Sequence, residues 1–165
     1  MNAGDKVSGS IELVLWRHAE AEEAVPGKVA DPDRQLTPRG QAQAARIATW
    51  LNARLPKQCR MLVSPAARTR QTAVALGRLW DTDERVGLNA GPQSLLMAAE
   101  WPRHAGTTIV VGHQPTLGQV AARLLPGLDM EWDIARGAIV WLMHHPERGK
   151  AVLRVTMTPE AIKDG

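Results

Sequence analysis

Cysteine is almost missing from this sequence: Cys59 stands alone among 165 residues. A single thiol forms no intramolecular disulfide, so a disulfide-stapled secreted fold is excluded and a reducing cytoplasm is the expected setting. Phe and Tyr are absent altogether, which leaves the core to aliphatic side chains, Met and six Trp. No apolar run approaches the roughly 18 residues a membrane-spanning helix needs. The opening stretch, MNAGDKVSGS, carries no apolar segment of the secretory kind. There is also no Lys/Arg block, and no aromatic residues alternate with basic ones as in a nucleic-acid groove. Neither a membrane nor a nucleic acid is therefore expected as a partner.

What is present argues for a globular protein. Hydrophobic residues make up 44% and charged residues 22%, a balance that excludes disordered and collagen-like chains. The length suits one domain. Residues 1–10 read as a loose polar arm and residues 11–160 as the domain. Net charge is +3 and the pI about 9.5. A surplus this small and this dispersed fits a small anionic ligand at least as well as a nucleic acid.

Hydrophobic patterning gives alternating strands and helices. Ile11 to Trp16 reads as a buried strand. Thr37-Pro38 supplies an N-cap and a first-turn proline to a helix whose apolar positions run through Ala44, Ile47, Ala48, Leu51 and Leu55 until Pro56. Arg60 to Val63 reads as a second strand. Ser64-Pro65 repeats the capping device before a helix expected from Ala66 to Trp80. A short strand is expected around Arg85-Val86 and a short helix from Ser94 to Trp101. Thr107 to Val111 is a β-branched strand between two glycines. Pro115 to Leu125 reads as a helix ended by Pro126-Gly127. Ala138 to Met143 and Val152 to Met157 read as a late strand pair. This order implies an α/β fold: a mostly parallel sheet between helical layers, with the late pair adding an edge.

The chemistry gathers at strand ends. Arg17-His18 follows the first strand, Arg68 lies one turn into the helix after the second, and His113 follows the Thr107 strand. Open α/β sheets bind ligands beyond the carboxyl ends of their strands. Two Arg and two His meeting there suit an anion, because guanidinium forks match phosphate oxygens bidentately. Arg68 near a helix start opposes the helix dipole, a conflict that a bound anion would relieve.

Four segments carry a resemblance: LVLWRHAEAE, DPDRQLTPRGQAQA, VSPAARTRQTA and VVGHQPTL. In this order they resemble the motifs of the histidine phosphatase superfamily, and its small SixA-like phosphohistidine phosphatases in particular. The likeness spans Leu13 to Leu125. It implies a phosphoglycerate-mutase-like α/β/α fold. His18 would be a nucleophile that carries a transient phosphoryl group. Arg17 and Arg68 would grip the phosphoryl oxygens, and His113 would donate a further hydrogen bond to them. No cofactor is implied. Metal motifs such as HExxH or paired Cys are absent, and charge-stabilised phosphoryl transfer can proceed on such side chains alone.

The proton donor is the open point. Relatives with a clear acid place it after the second helix, where this sequence offers only Glu100. The loop after His18 offers Glu20, Glu22, Glu23, Asp31 and Asp33, and the SixA-like pattern favours Asp31. Asp31 and Asp33 beside Pro32 also fit a plain turn. Glu20 lies close enough in sequence to influence His18. Arg34, Arg39 and Arg136 are candidates for the rim, while His144-His145 reads as surface, since neighbouring strand residues face opposite ways. A weak acid suits a good leaving group, and imidazole, with a pKa near 6.5, leaves more readily than an alkoxide. The expected substrate is therefore phosphohistidine on a protein such as a phosphotransfer domain, with inorganic phosphate as the product in the pocket. A small-molecule phosphomonoesterase, a mutase-like transferase and a non-catalytic phosphoprotein-binding module are the alternatives.

Overall fold

The structure is a computed structural model that describes residues 9–125 and 129–162. Residues 1–8 of the expected arm and the Pro126-Gly127 helix stop lie outside the described residues. Six strands form one sheet: β1 (Ile11–Arg17), β2 (Arg60–Val63), β3 (Asp81–Thr82), β4 (Gly106–Gly112), β5 (Ile139–His145) and β6 (Lys150–Met157), in the order β3-β2-β4-β1-β5-β6. The first four are parallel neighbours. β5 runs antiparallel to β1, and β6 antiparallel to β5. The sheet is mostly parallel, and the late pair forms its edge as the sequence implies.

Strand β1 shows why the chain folds in layers. Side chains alternate across a strand, so Leu13 and Leu15 join one core while Val14 and Trp16 join the other. All four are fully buried. Two helices, α1 (Pro38–Asn52) and α2 (Ala67–Val74), cover the Trp16 face with Ile47, Leu51 and Ala73. Two others, α3 (Pro92–Ala98) and α4 (Thr116–Leu124), cover the Leu15 face with Leu95, Leu117 and Val120. A strand buried on both faces must read as a continuous apolar run. Glu12 is the exception among the buried residues of β1. It is buried, and its carboxylate accepts from Trp141 Nε1 and Arg154 across the antiparallel edge. No helix among the described residues is long and apolar enough to cross a membrane.

Several boundaries differ from the expectation. Helix α2 ends at Val74 rather than Trp80 because Gly77 adopts φ +67, a conformation that leaves the helix. Its N-cap is Ala66, not Ser64, which stays on the strand ladder by donating its N–H to Val111 O. The strand expected at Arg85-Val86 lies earlier, at Asp81–Thr82. Asp83 then accepts from the Arg85 N–H and starts a 3-10 turn over Glu84–Val86. Helix α3 starts at Pro92, its first-turn proline, and is over before Glu100, whose φ of 53 is incompatible with helix.

Candidate active site

The four basic motif residues meet at the carboxyl end of the parallel strands. Arg17 is the last residue of β1 and His18 follows it. The His18 N–H donates to Gly112 O at 3.1 Å, and its carbonyl accepts from the Gly137 N–H at 3.0 Å. The next two residues are tied to the helices of one face: the Ala19 N–H donates to Thr72 Oγ1 at 3.1 Å, and the Glu20 N–H to Gln43 Oε1 at 3.0 Å. Helix α1 can come this close only because residue 40 is glycine. A Cβ there would stand 1.9 Å from the Glu20 carbonyl oxygen.

His18 is 8% exposed. Its Nδ1 lies 2.8 Å from the Ala19 carbonyl oxygen, an acceptor only, so the ring proton sits on Nδ1 and the lone pair on Nε2. Arg68 Nε donates toward that lone pair at 3.3 Å. Burial pushes the His18 pKa down from 6.5 to about 3; the Ala19 carbonyl opposes this, and His113, Arg68 and Arg17 add to it. The imidazole is neutral at pH 7.

Arg68, the second residue of α2, is 3% exposed. Besides His18 it reaches the loop after β1: NH1 donates to Asp31 O at 2.7 Å, and NH2 to Asp31 Oδ2 at 3.1 Å. Asp31 Oδ1 in turn receives Arg34, with Nε at 2.8 Å and NH2 at 2.6 Å. Burial alone would raise the Asp31 pKa, but the hydrogen bonds from Arg34 and Arg68 outweigh it and hold the carboxyl below its ordinary range. Asp31 is therefore a carboxylate at neutral pH.

Arg17 is positioned from a segment that carried no sequence signal. Its NH1 donates to Ile134 O at 2.5 Å and lies 3.7 Å from Asp133. Its Nε is buried without a partner among the described residues. His113, which follows β4, stands with its ring centroid 5.4 Å from that of His18. Burial, then the charge of Arg68, lowers its pKa from 6.5 to about 4. Its Nε2 lies 2.7 Å from Ser64 Oγ, while Nδ1 has no partner among the described residues. Buried polar nitrogens normally have partners. Two of the orphans thus belong to residues around one pocket.

That pocket has a volume of about 280 Å³ and is lined by Arg17, His18, Asp31, Arg68 and His113, with Arg34, Arg136, Gln114, Ala21 and Leu88 around them. Of the residues expected from sequence, Glu20 is not brought into it. The Glu20 carboxylate accepts from Thr37 Oγ1 at 2.8 Å and lies 3.5 Å from Arg39. Arg39 is thereby also turned away, whereas Arg34 and Arg136 do line the rim. Glu100 pairs with Arg60 at 2.9 Å, and Asp33 does not line the pocket. Sequence reasoning assigned no part to Thr72, Gln43 and Gly40, although all three fall inside the quoted motifs. For the Asp133–Ile134 stretch there was no motif to find, and Arg136, expected at the rim, is the one residue of that region named from the sequence.

Comparison with known proteins identifies the fold and its lineage. The profile described as histidine phosphatase superfamily (branch 1) matches residues 13–88. A solved structure assigned as phosphohistidine phosphatase SixA, from Nakamurella multipartitia, superposes with a TM-score of 0.77 at 30% identity, covering 93% of this chain and 99% of that one. The chain belongs to the histidine phosphatase superfamily. An uncharacterised Mycobacterium tuberculosis protein, Rv1276c, is 36% identical over 145 residues, covering 84% of this chain and 86% of the relative. Phosphohistidine phosphatase SixA of Escherichia coli K12 is 25% identical over 125 residues, covering 71% and 76%. Membership in a histidine phosphatase family with SixA neighbours supports phosphatase activity, and it makes a phosphorylated compound the ligand class to test in the pocket.

Proposed function

We propose that the protein is a phosphatase that takes a phosphoryl group onto His18 Nε2 from phosphohistidine on a protein partner, such as a phosphotransfer domain met in the cytoplasm. The observation that carries this reading is the state of His18: a neutral ring, its proton held on Nδ1 by Ala19, its Nε2 lone pair beside Arg68. A neutral, oriented imidazole is the form that attacks. The Nε2 lone pair forms a bond to phosphorus as the phosphorus–nitrogen bond of the substrate breaks. That bond's electron pair leaves with the substrate ring, whose other nitrogen already carries a proton taken from solvent, so the ring departs as neutral imidazole. Water then attacks phosphorus, the bond to Nε2 breaks with its electron pair returning to His18, and the water's spare proton passes to the phosphate oxygens as inorganic phosphate leaves. Arg17 and Arg68 would balance the charge on the equatorial oxygens, and His113 would donate to one of them.

Asp31 supports the choice of substrate. Clamped by Arg34 and Arg68, it is ionised and has no proton to give. Its part in this reading is to orient Arg68. A site without a ready acid favours a leaving group that departs without strong protonation, and imidazole does so far more readily than an alkoxide. A small phosphomonoester is the second reading, favoured by a pocket of about 280 Å³ that has room for one. The deciding experiment compares phosphate release from a phosphohistidine-bearing protein with release from phosphoserine. This reading expects the first to be faster by orders of magnitude. Equal rates would favour the small-ester reading.

A further inference from the structure

We infer that Ser64 is a positioning residue that fixes the tautomer of His113, holding its proton on Nδ1 so that a neutral ring presents an N–H donor to an incoming phosphoryl oxygen. Ser64 follows β2 and is fully buried. Its Oγ lies 2.7 Å from His113 Nε2 and also receives the Ala66 N–H at 3.4 Å. A hydroxyl has one proton to donate and two lone pairs to offer. The Ala66 N–H can only donate, so it takes a lone pair. Among the described residues, the sole acceptor recorded for the Ser64 hydroxyl proton is His113 Nε2. Were Nε2 protonated instead, two donors would converge on Oγ, and the buried hydroxyl proton would have no acceptor among the described residues. Donation from Ser64 to Nε2 satisfies every group but one: the His113 Nδ1–H, which is the ring nitrogen without a partner.

The backbone makes this arrangement rigid. The Ser64 N–H is on the β2–β4 ladder through Val111 O at 3.1 Å, and its carbonyl accepts from Thr69 Oγ1 at 2.9 Å. Both sides of the contact are thus set by neighbouring parallel strands, since His113 directly follows β4. A histidine left to choose its tautomer would spend part of its time with an acceptor where an anion needs a donor. Ser64 removes that choice without charging the ring.

The catalytic consequence rests on the phosphatase reading; the tautomer does not. The test is therefore in two arms. Nitrogen-15 NMR of the ring nitrogens at pH 7, with His113 assigned by its loss in His113→Gln, reads the tautomer directly in the wild type. An Nδ1–H ring with bare Nε2 is expected, and an Nε2–H ring would overturn the inference. In Ser64→Ala the preference should vanish and the rate constant for phosphate release from a phosphohistidine protein should fall about tenfold or more. Ser64→Thr, which keeps the hydroxyl, should restore both. A Ser64→Ala protein with unchanged tautomer and rate would refute the role. If the wild type releases no phosphate from any substrate, the phosphatase reading fails, and the ring spectra still decide on Ser64.

Discussion

Gly40→Ala puts the geometry around His18 under direct strain. Residue 40 is the third of α1, where alanine would ordinarily favour helix by about 1 kcal/mol over glycine. Against that stands the Cβ position, 1.9 Å from the Glu20 carbonyl oxygen, 2.8 Å from its carbon and 3.1 Å from its nitrogen. These are backbone atoms and cannot rotate away. Helix and loop must part by about 1 Å or more before the contact becomes tolerable, and overpacking of this kind costs about 1–3 kcal/mol. The overlap outweighs the propensity gain, so a net loss of up to about 2 kcal/mol is expected, or a Tm lower by up to roughly 4–8 °C in a chain of this size. Activity should suffer more. The displaced loop begins directly after His18, with Ala19 pinned to Thr72 and Glu20 to Gln43, and a misplacement of about 1 Å can cost about 100-fold in rate. Thermal melts and phosphate-release assays on the same preparation read both effects. A Gly40→Ala protein with wild-type Tm and rate would show that α1 does not hold the loop.

Two further predictions follow from charge. His18 and His113 are held neutral in the folded state, with pKa values of about 3 and about 4, whereas in the unfolded chain each titrates near 6.5. Below pH 6.5 the unfolded state therefore binds protons that the folded state refuses. Stability is full above that value and is lost progressively as pH falls toward 4. Between pH 7.5 and 5.5 the two rings together should cost about 2–3 kcal/mol, visible as a lower urea midpoint; a flat midpoint over that window would contradict their burial as neutral groups. Asp31→Asn keeps an acceptor for Arg68 but has no acid function. Release from a phosphohistidine protein should stay within about tenfold of wild type, whereas loss of a true general acid costs about 100- to 10,000-fold.

The sequence was most informative where the physics is local. Strands buried on both faces leave continuous apolar runs, so β1 and β4 were readable, and Thr37-Pro38 announced α1 by its capping chemistry. Arg17, His18, Arg68 and His113 could be brought together because strand ends in a parallel sheet share one edge. Ser64 was misread for a physical reason: Ser before Pro is a good helix cap in isolation, but the same hydroxyl meets His113 once β2 and β4 pair, 49 residues apart. Glu20 is close to His18 in sequence and far from it in function, because Thr37 and Arg39 draw its carboxylate aside. The Arg17 contact to Ile134 bridges 117 residues of chain with a backbone carbonyl, a partner that no residue type advertises. Gly77 and Glu100 ended helices through backbone angles that composition does not reveal.

The proposed reaction passes its phosphoryl group through His18. A phosphohistidine-bearing protein carrying labelled phosphate, mixed with wild type and with His18→Ala, tests it most directly. Rapid release by the wild type is expected, with transient acid-labile label on the enzyme, and neither label nor release above background with His18→Ala. A His18→Ala protein that still releases phosphate at the wild-type rate would contradict it.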